Sequence, residues 1–215
     1  MAEGSAGTIY TREEAKRRNF WVDIFVRLVK EKPLGVVGLI IVLLLLLTGI
    51  FADFLAPYGM NQIGLKERLD PSSLRHWMGT DHLGRDILSR IIFGARVSMF
   101  VGLGAATLQL VMVVFIGVIS GYFGGKVDIV IQRFVDAVLS IPALFFYLTM
   151  MAVVGSGVWQ VIIVLGVLRG IRGSRIPRSA VIGVMENVYV DAARTIGASS
   201  KRIILKHIMP NVTAP

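Results

Sequence analysis

Three long runs without a charged residue constrain the fold of this chain more than any other feature. They cover residues 34–52, 97–125 and 137–168, which is 19, 29 and 32 residues. A helix rises about 1.5 Å per residue, so about 20 apolar residues cross the ~30 Å hydrocarbon core of a bilayer. A helix also satisfies its own backbone hydrogen bonds, which lipid cannot do. The runs therefore predict an all-α protein, a polytopic bundle of membrane helices.

Composition and charge agree with this class. Only 17% of the residues are charged, against about 25% in soluble domains, which argues against a soluble globular enzyme. The net charge of +9 suits either a nucleic-acid partner or basic cytoplasmic loops, and the apolar runs favour the loops. The chain has no cysteine, which excludes disulfides, thiolate metal sites and thiol chemistry on it.

We predict four spans and assign the other segments to the two sides of the membrane. The third and fourth spans join at Gly155-Ser156-Gly157. With a cytoplasmic N-terminus, 17 of the 23 Lys and Arg residues lie inside and 6 in the outer loop, as the positive-inside rule requires. The predicted segments are a cytoplasmic segment at 1–33, a transmembrane domain at 34–180 with spans near 34–56, 97–122, 129–154 and 158–180 and an external loop at 57–96, and a cytoplasmic segment at 181–215.

Residues 79–86 read Gly-Thr-Asp-His-Leu-Gly-Arg-Asp, a turn followed by a helix start. Thr80 or Asp81 is the predicted N-cap. Beyond the cap, apolar residues share one face, and Asp86 and Arg90 are spaced to pair on the other. We expect a short helix on the membrane surface ahead of the second span.

Small residues recur every four positions in the second apolar run. Such stripes allow helix backbones to approach closely in lipid. The predicted helix-packing glycines are Gly102, Gly117, Gly121 and Gly125.

The stretch from Asp191 to Asn211 predicts a helix, a break and a second helix. Gly197 suits the left-handed position that closes a helix, and Ser199 or Ser200 can cap the next one. An apolar stripe forms opposite basic residues, which suits docking to another protein. The stripe consists of Ile203, Ile204, Ile208 and Met209.

This stretch resembles the EAA loop of ABC-importer permeases, whose pattern is E-A-A-x3-G-x9-I-x-L-P. Asp191, Ala192, Ala193, Gly197 and Pro210 stand at the matching positions. The departures are Asp191 in place of Glu, His207 at the Ile position and Met209 in place of Leu. With the segments at 79–86, 121–125 and 207–211, the chain resembles the second permease subunit of dipeptide, oligopeptide and nickel importers.

The resemblance implies a pore subunit of an ATP-driven importer in a prokaryotic inner membrane. Its implied partners are a second permease, two cytosolic ATPase subunits that hold Mg-ATP, and an extracytoplasmic solute-binding protein, with no cofactor on this chain. Peptides are the implied substrate, with nickel or another small solute as the alternative. Such permeases have about two further spans after the EAA loop, so the chain resembles one that lacks them. The implied ATPase-coupling residues are Asp191, Ala192, Ala193, Gly197, Ile208 and Pro210.

Other patterns allow competing interpretations. A phosphate-binding loop at Gly125-Lys126 fails, because Ser120 and Val127 stand where it needs Gly and Ser or Thr. No order of residues indicates catalysis, and His76, Asp81, His82 and Asp86 suit caps and surface contacts better than a metal site.

Two charged patterns remain open to a functional interpretation. Arginines recur every third residue, as in a voltage-sensing four-helix domain, although positive-inside anchoring explains them better. Arg133 and Asp136 form either a functional pair inside the membrane, such as a gate, or an ion pair at the cytoplasmic end of a span. The arginines of the series are Arg169, Arg172, Arg175 and Arg178.

Overall fold

The computed structural model describes residues 29–212, which are helical apart from turns, loops and one isolated bridge. The predicted all-α class is confirmed. The helices are α1 (Pro33–Ile50), α2 (Ala52–Leu55), α3 (Ile87–Phe123), α4 (Gly125–Ser140), α5 (Ala143–Val154), α6 (Val158–Gly173), α7 (Arg175–Met185), α8 (Val188–Thr195), α9 (Ser200–Ile203) and α10 (Met209–Val212), with a 3₁₀ turn at Leu65–Glu67 and a π turn at Ile204–Ile208.

The described chain divides into two compact units after Leu47. The first unit contains α1 up to Leu47; this helix is apolar on every face, and nearly all of its side chains are exposed. A helix that is apolar all round suits a lipid environment. The predicted cytoplasmic segment at 1–33 lies mostly outside the described residues.

The second unit is organised around α3, a helix of 37 residues and therefore about 55 Å long. Helices α6 and α7 pack along α3, while α5 packs against α6. Two segments outside the long helices matter for function. We call residues 56–86 the cap loop, because they lead into the N-terminus of α3, and residues 188–212 the bent segment.

Two of the described helices, α1 and α3, have the length and apolar composition to cross a membrane. A third crossing is formed if α4 and α5 act together, although their axes differ by 92° at the break between them. Residues 29–212 do not form four straight membrane-spanning helices. The number of spans therefore stays a prediction.

The predicted surface helix ahead of the second span is part of α3 itself. In the sequence, Arg90 and Arg96 lie just before the second uncharged run and separate it from the residues ahead of it. In the fold, partners neutralise both charges. Arg90 contacts Asp81 at 3.0 Å, and Arg96 contacts Asp53 at 2.7 Å. With the charges paired, nothing interrupts the helix between Ile87 and Phe123.

The third and fourth predicted spans are each divided in two. Helix α4 ends at Ser140, and α5 begins directly after Pro142, which lacks the amide that would continue the helix. Helix α6 ends at Gly173, and Ser174 separates it from α7. The predicted turn at 155–157 is present, with Gly155 at φ +93°.

Two apolar clusters hold the second unit together. One joins α4 to α6 through Val135, Val138, Leu168 and Ile171, all of which are buried. The other lies where α3, α7 and the bent segment meet, and it organises the candidate site.

Candidate functional site

The bend predicted at Gly197 is present. Gly197 has φ +82°, in the left-handed region that favours glycine. Its amide donates to the Arg194 carbonyl at 2.9 Å, and the Ala198 amide donates to the Ala193 carbonyl at 3.0 Å. These two bonds form a Schellman motif, which satisfies the last carbonyls of α8 and turns the chain sharply. Ser199 then precedes α9, and its carbonyl, rather than its hydroxyl, accepts the Ile203 amide.

The inner face of the bent segment is buried against the same chain. Val190 and Ala193 of α8 pack with Ile203 and Ile208, and Ile203 and Ile208 are at most 1% exposed. The cluster is completed by Val118 of α3 and Val181 of α7, with Ile204 and Met209 partly buried around it. Ile203 and Ile208 of the predicted docking stripe are therefore covered by the same chain, and Ile204 and Met209 are partly covered. Its apolar residues anchor the bent segment to α3 and α7, because burying them there removes them from water.

The outer face carries the exposed residues that a partner can reach. Val188 and Ile196 are 84% and 85% exposed, and Leu205 is 56% exposed. Among the predicted coupling residues, Asp191, Ala192, Gly197 and Pro210 are exposed, whereas Ala193 and Ile208 are buried. The predicted set thus divides into an outer face and an inner anchor.

Asp191 acts within its own helix. Its carboxylate pairs with Arg194 at 3.3 Å, and the Arg194 guanidinium lies 6.0 Å from the centre of the Tyr122 ring of α3. Asp191 therefore orients an arginine that lies over α3, while its own side chain remains 69% exposed.

A π turn precedes Pro210. The Met209 amide donates to the Ile204 carbonyl, five residues back, instead of the usual four. Pro210 has no amide and its ring would crowd the Lys206 carbonyl in a regular α-helix, so the wider turn accommodates it. The turn also directs Ile208 into the buried cluster.

Two of the predicted packing glycines lie where α3 meets α7. A Cβ on Gly117 would come within 2.7 Å of the Ser174 carbonyl oxygen, and one on Gly121 within 2.9 Å of the Arg178 carbonyl oxygen. The two backbones are therefore in contact, as close small-residue packing requires.

The other two predicted packing glycines lie elsewhere. Among the described residues, no atom outside the local helix lies within 4 Å of a Cβ placed on Gly102 or Gly125. Gly125 instead has φ +49° at the start of α4, where it turns the chain. Contacts that the sequence did not indicate involve Gly166 and Gly170 of α6, which meet Leu108 and Met112 of α3.

The pair of Arg133 and Asp136 is present, with 3.7 Å between nitrogen and oxygen. Arg133 is 81% exposed, and Asp136 also pairs with Arg175 at the start of α7. The arrangement is an ion-pair group that links α4 to α7. Whether it also acts as a gate stays a prediction.

Three of the four spaced arginines contact α4. Arg172 donates to the Val138 carbonyl of α4 at 3.4 Å and to the Ile141 carbonyl just after it at 2.7 Å, Arg175 pairs with Asp136, and the Nε of Arg178 donates to Asp128 at 2.6 Å. The sequence indicated the spacing of these residues, but not that they face a helix of the same chain.

The N-cap of α3 is Asp86, not Thr80 or Asp81 as predicted from the sequence. The Asp86 carboxylate accepts the Ser89 amide at 2.7 Å, as an N-cap does. Asp81 instead accepts the Leu83 and Arg85 amides and pairs with Arg85 and Arg90, so the predicted pair of Asp86 and Arg90 is wrong. Asp86 is buried beneath the loop and cannot reach the outer face of the helix.

Three ionisable groups of the cap loop have shifted pKa values. Burial disfavours the charged form of Asp86, but the Ser89 amide and His76 outweigh this effect and lower the pKa of Asp86. The pKa of Asp81 is lowered too, because hydrogen bonds from the Arg85 and Leu83 amides and from the Arg85 side chain exceed the cost of burial. The hydrogen bond to Asp86 raises the pKa of His76; burial opposes that rise, and Glu67, at 3.3 Å, adds to it.

Residues 29–212 contain no group of His, Cys, Asp or Glu arranged to hold a metal ion. His76 lies between Asp86 and Glu67, whereas His82 contributes its carbonyl to Arg68. Within the described part of the chain, Asp86 acts as a helix cap, and His76 and the His82 carbonyl make loop contacts.

Comparison with known proteins identifies the class to which this helical fold and bent segment belong. Residues 113–215, which include the bent segment, match the family described as "Binding-protein-dependent transport system inner membrane component". Residues 19–71 match "N-terminal TM domain of oligopeptide transport permease C".

The most similar relatives include bacterial peptide permeases. The chain is 38% identical to the oligopeptide transport system permease protein OppC of Bacillus subtilis (strain 168) over 213 residues, 98% of the chain and 70% of the relative. It is 36% identical to the dipeptide transport system permease protein DppC of the same organism over 185 residues, 86% of the chain and 58% of the relative. For the probable D,D-dipeptide transport system permease protein DdpC of Escherichia coli (strain K12), the identity is 35% over 188 residues, 87% of the chain and 63% of the relative.

The chain belongs to the family of binding-protein-dependent transport system inner membrane components, and within it the chain is similar to oligopeptide and dipeptide permease subunits. It spans 58 to 70% of the length of the three relatives described above. Those relatives are transport permeases.

Proposed function

We propose that this chain is a pore-forming permease subunit of an ATP-driven importer of dipeptides or oligopeptides. The bent segment would receive the motion of a cytosolic ATPase, and the helices packed on it would convert that motion into alternating access. A second permease subunit, two ATPase subunits and an extracytoplasmic solute-binding protein complete the proposed machine. The N-terminus and the bent segment face the cytoplasm in this arrangement, and ATP is hydrolysed on the partner.

The observation that carries the proposal is the two-sided construction of the bent segment. Its inner face is a buried apolar cluster shared with α3 and α7, and its outer face exposes Val188, Ile196 and Leu205. A force applied to the outer face is therefore passed to α3 and α7 with little loss, because close-packed interiors deform little. Exposed apolar residues beside basic ones also suit a protein partner.

Peptides are the proposed substrate because the relatives named above are oligopeptide, dipeptide and D,D-dipeptide permeases. Nickel or another small solute is the alternative, and an uptake assay separates the two. Cells or proteoliposomes that carry the complete transporter should accumulate a labelled dipeptide or oligopeptide in an ATP-dependent manner, and should not accumulate ⁶³Ni²⁺. Uptake of nickel without peptide would assign the alternative substrate.

A matched pair of variants tests the role of the outer face. Ile196 and Leu74 are apolar and 85% and 97% exposed, in the bent segment and in the cap loop. We expect Ile196→Asp to lower co-purification of the ATPase and ATP-dependent uptake about tenfold or more, as loss of an exposed apolar anchor does at an interface. Leu74→Asp should leave ATPase association unchanged. Normal association and uptake in Ile196→Asp would contradict the coupling role.

A further inference from the structure

The two helices that lead into the bent segment are tied to α4 by three arginines, Arg172 on α6 and Arg175 and Arg178 on α7. We call Arg172, Arg175 and Arg178 the arginine clamp, because each contacts α4 at a different level. Arg172 donates to carbonyls at the C-terminal end of α4, where the bend at Pro142 leaves them without helical partners. Arg175 pairs with Asp136, and Arg178 pairs with Asp128 at the N-terminal end.

Of the three contacts, the one between Arg178 and Asp128 has the most hydrogen bonds around it. Both side chains are mostly buried, and the guanidinium binds the carboxylate through Nε and a terminal nitrogen at once. Ser120, a fully buried residue of α3, donates to the same carboxylate, and Gln132 donates to Ser120 at 2.9 Å. One bidentate pair therefore joins α3, α4 and α7, and bidentate geometry fixes orientation as well as distance.

This ion pair lies close to the anchor of the bent segment. Val181 belongs to the buried cluster and lies about one helical turn beyond Arg178 on α7. On α3, Ser120 lies between Val118 of the cluster and Gly121, whose missing Cβ allows the Arg178 carbonyl to come close. The polar pair and the apolar anchor thus share the same two helices, α3 and α7.

We propose that Arg178 and Asp128 are positioning residues for the coupling step, and that they make α4 move with α7 and the bent segment as one body. This inference rests on the proposed importer function. Without the pair, α4 would still be joined to the rest of the unit by the turn at Gly124-Gly125, by its apolar cluster with α6, and by the contacts of Arg175 and Arg172, but its direct bidentate tie to α7 would be lost. Motion of α7 driven by the ATPase would then be passed less completely to α4.

The first test measures transport per ATP in the complete transporter. We expect Asp128→Asn and Arg178→Gln to leave the protein in the membrane and ATPase activity present, while peptide uptake per ATP falls about tenfold, a usual size for a coupling free energy. The conservative Asp128→Glu should retain most of the uptake per ATP. The exchanged double variant Asp128→Arg with Arg178→Asp should restore part of it.

Arg169→Gln is the matched control. Arg169 begins the same arginine series and is exposed, and among the described residues no contact joins it to α4. Its uptake per ATP should equal that of the unaltered protein. An unchanged ratio in Asp128→Asn, or a loss of protein and uptake together with a constant ratio per ATP, would overturn the positioning role.

The second test measures distance. The chain contains no cysteine, so Val130→Cys on α4 and Ile176→Cys on α7 are the only labelling sites on it when the partner subunits are prepared without reactive cysteines, and both positions are exposed. The label distance should stay the same between the nucleotide-free and ATP-trapped transporter. It should change with nucleotide in the Asp128→Asn background. A nucleotide-dependent change without that substitution would overturn the one-body motion.

The two tests separate this inference from the importer function. If the complete transporter moves no peptide, the proposed function fails. The clamp is then judged on the purified protein in lipid discs, where Asp128→Asn should broaden the distance distribution between α4 and α7. An unchanged distribution would overturn the clamp itself.

Discussion

The cap loop and the bent segment contact opposite ends of α3, and they are held there by opposite kinds of buried residues. In the cap loop, the buried side chains are polar: His76, Thr80 and Asp86, with Gly79 and Gly84 buried beside them. In the bent segment, the buried residues are Val190, Ala193, Ile203 and Ile208, all apolar. The stability of the N-terminal end of α3 therefore depends on hydrogen-bond geometry and charge, and that of its C-terminal end depends on how well apolar side chains fill the space between helices.

The largest expected effect compares two glycines with positive φ. A Cβ on Gly84 would overlap the Gly64 carbonyl oxygen, whereas a Cβ on Gly197 would meet no atom of residues 29–212 within 4 Å beyond its own chain neighbours. We expect Gly84→Ala to destabilise the protein by more than about 4 kcal/mol, and Gly197→Ala by only about 1–2 kcal/mol of left-handed strain. Thermal unfolding of the two purified variants in detergent measures the difference. Equal effects would contradict the close contact of the cap loop.

The next largest effect tests the packing of the bent segment. Ile208 is fully buried and Leu205 is 56% exposed, three residues away. Ile208→Ala should cost about 3 kcal/mol through the cavity it leaves, whereas Leu205→Ala should change stability by less than about 0.5 kcal/mol. Hydrogen exchange of the α8 and α9 amides should rise in Ile208→Ala alone. A similar rise in both variants would mean that the inner face is not the anchor.

A smaller effect is expected at the N-cap of α3. Asp86→Ala removes the acceptor for the Ser89 amide and leaves His76 without its nearer partner, which should cost about 1–2 kcal/mol. Asp86→Asn keeps a cap oxygen and should cost less. Hydrogen exchange at the first turn of α3 reports the change. Protection that is equal in the unaltered protein and in Asp86→Ala would assign the cap to another residue.

The smallest effect is the pH dependence of the cap loop. The pKa of His76 is raised in the folded state, so its contribution to stability is complete below the unfolded pKa and is lost as the pH rises through the folded pKa. The lowered pKa values of Asp81 and Asp86 act the other way, and their contribution is lost only as the pH falls through those folded values. Cap-loop amides should therefore exchange faster, after correction for intrinsic rates, as the pH rises from near neutral into the alkaline range. His76→Gln should flatten this dependence, and a profile that keeps its slope would exclude His76 as the cause.

The features that were predictable from sequence are those set by local backbone chemistry. Gly197 follows a short amphipathic helix, so its left-handed conformation and the bend could be read directly. The turn at 155–157 and the break at Pro142 were predictable for the same reason, because glycine and proline act on their own backbone.

The features that were missed depend on which surfaces meet in three dimensions. Ile208 lies on an apolar stripe whether that stripe faces a partner or α3, so periodicity alone could not assign it. Arg172 and Arg178 have a spacing that basic membrane anchors share, and their contacts with α4 depend on the break at Pro142 and the turn at Gly124-Gly125. Asp81 and Asp86 both follow turn-forming residues, and only the folded loop shows which carboxylate reaches the Ser89 amide.

The unbroken length of α3 gives the molecule a rigid lever. Its N-cap at Asp86 and the anchor residue Val118 are separated by one continuous helix, about 48 Å along its axis. A lever of that length magnifies small rotations: a tilt of about 5° at one end displaces the other by about 4 Å. A small rotation of α3 at the bent segment would thus displace its other end, beside the cap loop, by about the diameter of an atom, because no hinge divides the helix.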